Sequence, residues 1–219
     1  MPATAYTSAL DFTVGALLLT AVLIVWRREF AAMVQLLSLQ GAALGLIPLI
    51  TSMHTGDLAL SGVGIVVLLL NAVAIPRLVA QLLRGENAPR ETDPVVNTTA
   101  SLLAVSLLTA FAYGVSGPIV ALDPTAGVRA VPLALAVVLI GVFVLVTRRR
   151  ALSQVVGFLV MTNGIATVAF LITDGVPLIV ELGASLDVLL AVIILQVLTG
   201  RMRLVFGRTD LDGLQELHD

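Results

Sequence analysis

The sequence predicts an all-α, polytopic membrane helix bundle of about seven transmembrane helices, arranged as two parallel three-helix repeats joined by a linker helix. Three observations predict it. Hydrophobic residues fill 58% of the 219 positions and charged residues only 12%, against roughly 25% charged in an ordinary soluble domain. Apolar runs of about 20 residues, the length that crosses a hydrocarbon core ~30 Å thick, recur between short charged breaks. Those breaks are unequal in charge, every second one being rich in Arg.

In chain order the runs extend from Ser8 to Trp26, Phe30 to Met53, Leu58 to Leu83, Thr98 to Leu122, Ala130 to Thr147, Leu152 to Thr173 and Val176 to Thr199. The first has no basic residue before it and no small-residue cleavage site after it, so it reads as a retained helix and not as a signal peptide. Asp11, near the start of that run, is explained by snorkelling or helix capping. With seven spans and an external N-terminus, eleven of the twelve Arg share the cytoplasmic side and only Arg129 faces outward. That asymmetry is the positive-inside tendency of a multi-pass protein of the cell membrane. The polar stretch after Leu204 is expected to be a cytoplasmic tail.

The expected organisation is a first three-helix repeat and cytoplasmic loop over 1–97, a linker helix over 98–129, a second three-helix repeat over 130–203 and the tail over 204–219. Two correspondences suggest the repeat. Arg27 is followed thirteen residues later by Gln40-Gly41, and Arg150 at the same distance by Asn163-Gly164. Leu70-Asn71-Ala72 in the third run matches Leu186-Asp187-Val188 in the seventh. An odd linker helix between the copies makes them parallel.

Composition excludes several chemistries. There is no Cys, hence no disulfide framework, thiolate metal site or Cys-ligated iron-sulfur cluster. The two His, at 54 and 218, lie outside the apolar runs and form neither a metal centre nor a Ser-His-Asp set. A net charge of -2 with no Lys gives no footprint for nucleic acid. No glycine-rich phosphate loop or HExxH motif is present, so the chain reads as non-catalytic and without a cofactor of its own.

Polar residues at membrane depth are the candidates for function. A carboxylate there costs ~2.5 to 3.5 kcal/mol on insertion scales, so Asp187, about eleven residues into the last run, reads as a protonatable relay or as a buried acid paired elsewhere. Glu181 lies six residues earlier and off the same narrow face. Asn163, Gln40 and Asn71 carry no proton but hydrogen-bond between helices or orient water. Pro76 and Arg77 suggest a kinked end to the third run.

The stretch Arg148 to Arg150, Gln154-Val155-Val156-Gly157-Phe158, Met161-Thr162-Asn163-Gly164 and Val180-Glu181-Leu182-Gly183-Ala184-Ser185-Leu186-Asp187 resembles component E of hydrogenase-4. That family comprises membrane subunits of group 4 nickel-iron hydrogenase and formate hydrogenlyase complexes, related to the small K subunit of respiratory complex I. The resemblance implies a non-catalytic subunit packed beside antiporter-like and hydrogenase-type subunits, contributing to proton or sodium translocation or to membrane-arm assembly. It also implies a pathway through Asp187 and Glu181, with two departures. Thr162 stands where the family has Glu, and Asn71 where it has Lys. A stand-alone secondary transporter or cation-antiporter subunit is the alternative that the same residues permit.

Overall fold

The computed structural model describes residues 2–83, 97–122 and 124–173. Among them every regular element is helical, and six helices are long and apolar enough to cross a membrane. The elements are α1 (Ala3–Trp26), α2 (Phe30–Thr55), α3 (Leu58–Leu68), a π-helical stretch (Leu69–Ala74), α4 (Ile75–Leu83), α5 (Thr98–Leu122), α6 (Ala126–Thr147) and α7 (Ala151–Thr173). The stretch from α3 through α4 makes a single span. The expected seventh span, Val176 to Thr199, and the expected tail lie outside the described residues.

Helix ends follow local chemistry. Asp57 caps α3 by accepting from Ala59 N–H at 2.9 Å, Asn97 caps α5 through Ala100 N–H at 2.8 Å, and Thr125 caps α6 through Val128 N–H at 3.4 Å. Each thereby satisfies a donor that the first helical turn leaves unpaired. Gly56 ends α2 at φ 79°, a left-handed conformation that glycine adopts without a Cβ clash. Two expectations shift here. α6 begins at Ala126 and not at Ala130, so Arg129 lies within the helix. Likewise α1 begins at Ala3, which puts Asp11 two turns inside and rules out capping as its reason.

Helix α2 is the hub: it packs against α1, α3, the π-helical stretch, α4 and α7. Helix α1 packs on α2, α5 and α6, while α5 is peripheral and buries little beyond Ser101, Val105, Ala112 and Ser116. Along α1 the buried stripe of Leu10, Val14, Leu17, Ala21 and Ile24 repeats every three or four residues. Phe12, Leu19 and Trp26 point outward. Large apolar side chains turned outward on all six spans are what a hydrocarbon solvent favours.

Close helix contacts rest on glycines, as expected where lipid supplies no hydrophobic drive and backbones must approach. In the α6–α7 hairpin, a Cβ on Gly141 would stand 2.4 Å from Met161 N, one on Gly157 2.7 Å from Leu145 N and one on Gly164 2.7 Å from Val138 N. In the first half the contact falls elsewhere. Gly41, the sequence counterpart of Gly164, faces the π-helical stretch and not α1, its Cβ position lying 2.2 Å from Asn71 O. Paired positions therefore do not pack identically in the two halves.

Candidate functional site

An uncharged polar seam crosses the middle of the bundle. Gln40 is 0% exposed and Asn163 4% exposed. They lie ten residues into α2 and twelve into α7, or roughly 15 to 18 Å along their helices. Asn163 Nδ2 donates to Gln40 Oε1 at 3.3 Å, and Gln40 Nε2 donates to Leu17 O of α1 at 3.4 Å. Leu17 O also accepts from Thr20 Oγ1 at 2.8 Å, and Thr167 Oγ1 donates to Asn163 O at 2.7 Å. Three helices are thus tied at a depth where leaving an amide unpaired is costly. None of these groups gains or loses a proton near neutral pH, but amides and hydroxyls in series can orient water.

Asn71 sits inside the π-helical stretch, half-buried, with Nδ2 donating to Val67 O of its own helix at 3.2 Å. The wide turn is explained by Pro76, which has no N–H and whose ring would collide with the carbonyl four residues earlier. That carbonyl belongs to Ala72, and it accepts a short hydrogen bond from Ser38 Oγ of α2. Ser38 and Gly41, one turn apart on α2, therefore receive the Ala72 and Asn71 carbonyls side by side. The kink expected from Pro76 is a π-helical turn one residue upstream of Ile75, docked on a neighbouring hydroxyl.

Thr162 is half-buried and donates to Phe158 O of its own helix at 3.0 Å. The structure thus joins Gln40 to Asn163 and places the Asn71 backbone beside the next residue, Gly41. It gives Thr162 a bond within α7. Asp187 and Glu181 lie outside the described residues. Among the described residues no three His, Asp or Glu side chains are grouped to hold a metal ion.

Sequence reasoning missed the part played by Arg148, taking the triple Arg only as a marker of sidedness. Arg148 is 7% exposed, and its guanidinium donates through Nη2 to Val25 O at 2.8 Å and to Arg27 O at 3.2 Å. These carbonyls end α1, where the helix dipole favours a cation. Arg28 Nη2 reaches Thr98 Oγ1 at 3.1 Å, bringing the start of α5 to the same end. Arg148 and Val25 are 123 residues apart, the separation that also relates Asn163 to Gln40. That common spacing was the available signal.

These features define an all-helical, multi-pass membrane protein with an uncharged polar seam at mid-depth. The chain is 55% identical over 210 residues to the uncharacterized protein Rv0085 of Mycobacterium tuberculosis, across 95% of this chain and 96% of that protein, and it belongs to the same family. A second similarity is partial. Hydrogenase-4 component E of Escherichia coli K12 is 32% identical over 88 residues, covering 40% of this chain and 41% of that protein, and its Shigella flexneri counterpart matches equally. No protein-family model matches the chain, and no solved structure does.

Proposed function

We propose that the chain is a non-catalytic membrane subunit of a hydrogenase-like or complex I-like respiratory assembly, contributing to proton or sodium translocation or to building the membrane arm. The observation that carries this reading is the partial match to hydrogenase-4 component E. A seam of buried amides and hydroxyls without a titratable member agrees with it. Such a seam serves as a structural and water-orienting element of a path whose protonatable groups stand elsewhere, on Asp187 and Glu181 and on neighbouring subunits.

The same proposal holds that the spans number seven, with Val176 to Thr199 as the last, in two parallel repeats about the linker α5. The N-terminus lies outside and the C-terminus in the cytoplasm of a cell-membrane protein. Two contacts at one common spacing, Gln40 with Asn163 and Val25 with Arg148, support the duplication. The gathering of Arg27, Arg28 and Arg148 at one end supports the sidedness.

The test is recovery of the tagged native protein in mild detergent with mass spectrometry of what accompanies it. Hydrogenase-type or antiporter-like chains in stoichiometric amount are the expected result. A stable, partner-free protein refutes the assembly and favours a secondary transporter. Within a recovered complex, Asp187→Asn is expected to abolish ion pumping while electron transfer continues; unchanged pumping assigns the chain a purely architectural part.

A further inference from the structure

A groove of about 340 Å³ opens on the outer surface between α2 and the π-helical stretch with α4, its walls including Val34, Gln35, Ala72, Val73, Arg77 and Ala80. Its volume falls in the range of small-molecule pockets, roughly 300 to 1,000 Å³. It exists because the wide turn before Pro76 displaces Ala72 and Val73 from a regular helical path. The Ser38 hydroxyl, on the Ala72 carbonyl, holds that path in place.

The polar groups sit at one level. Arg77 lies six residues before the end of α4 and Gln35 five residues after the start of α2, so both are about 8 to 9 Å from the arginine-bearing end of the bundle. Both side chains are exposed. A guanidinium left bare at this depth is costly, and its long stem lets it snorkel toward the headgroups. Deeper in the groove the walls are Ala72 and Val73, small and apolar. The groove is therefore amphipathic along the membrane normal, with a cationic fork and an amide donor above a hydrocarbon slot.

We propose that this groove binds one anionic phospholipid of the leaflet at the arginine-bearing end. Its phosphodiester is held by Arg77 and Gln35, and the first part of one acyl chain lies on Ala72 and Val73. The planar guanidinium suits paired phosphate oxygens. A soluble anion would make no use of the apolar slot. The inference is independent of membership in any respiratory assembly.

The test uses the purified full chain, delipidated in detergent and titrated with dioleoyl phosphatidylglycerol or dioleoyl phosphatidylcholine, with bound lipid counted by native mass spectrometry. One phosphatidylglycerol retained through washing that strips phosphatidylcholine is expected. Arg77→Gln should weaken that retention about tenfold, the loss of one charge-assisted contact. Arg149→Gln, at an exposed arginine of the same end that does not line the groove, should keep it. Val73→Phe leaves Arg77 in place and fills the slot, so its loss of lipid tests the acyl-chain contact apart from the charge. Equal retention by the wild type, Arg77→Gln and Val73→Phe overturns the proposal. Displacement of phosphatidylglycerol by millimolar inorganic phosphate also overturns it, in favour of a soluble anion.

Discussion

Asn163 of α7 donates its amide N–H to Gln40 of α2 across 3.3 Å of buried interior, and Gln40 passes the connection on to the Leu17 carbonyl of α1. Removing either side chain deprives the other of a hydrogen-bond partner in the buried interior. Gln40→Leu and Asn163→Leu should each cost about 1 to 3 kcal/mol. The double variant should cost less than their sum, with a coupling of roughly 0.6 to 1.7 kcal/mol. Reversible unfolding in mixed micelles measures all three. Strict additivity would mean that the amides do not act on one another.

The Ser38 hydroxyl donates to the Ala72 carbonyl, four residues before Pro76, which has no N–H to offer it. Ser38→Ala should therefore destabilise the wild-type chain by about 1 to 2 kcal/mol. In a Pro76→Ala background the restored N–H at position 76 can take the Ala72 carbonyl, and the penalty should fall close to zero. An equal penalty in both backgrounds would remove the proline as the cause.

Gly41 admits the Asn71 carbonyl where any side chain would collide with it. Gly41→Ala is expected to cost about 1 to 3 kcal/mol through forced separation of α2 from the π-helical stretch. The comparison is Gly15→Ala, whose added methyl meets nothing within 4 Å. That change should be neutral or stabilising by a few tenths of a kcal/mol to about 1 kcal/mol, the gain in helix propensity. Thermal inactivation midpoints of the two variants, side by side, decide the matter.

Arg148 closes α1 with two hydrogen bonds from a buried guanidinium. Arg148→Leu should cost about 1.5 to 3 kcal/mol. Arg148→Lys should recover part of this, because an ammonium keeps the charge but not the planar fork. Arg149→Gln, at an exposed neighbour, should stay within about 0.5 kcal/mol. Denaturant titration of the three variants separates the cap from general charge at this end.

Six of the expected spans were legible because a ~30 Å hydrocarbon core demands long apolar runs and the chain interrupts them with Arg, Asp and Glu. Gln40, Asn71 and Asn163 were legible as amides where aliphatic residues are the rule. The ends were less so. A helix can continue past its apolar run into the interface, which is how Arg129 comes to lie inside α6 and Asp11 two turns inside α1. The π-helical turn had one local sign, Pro76, and its anchor on Ser38 joins residues far apart in the chain. Arg148 announced a membrane side by its charge, whereas its partners are set by the approach of α6 to α1.

The cap that Arg148 places on α1 also bears on biogenesis. The chain leaves the ribosome N-terminus first, yet the α1 carbonyl at Arg27 waits for a side chain synthesised 121 residues later. Until then the end of the first helix has only water or headgroups to satisfy it. An N-terminal half released by truncation or premature termination would thus carry an unfinished first helix and a Gln40 Oε1 without its Asn163 donor, which makes it a ready substrate for membrane quality-control proteases.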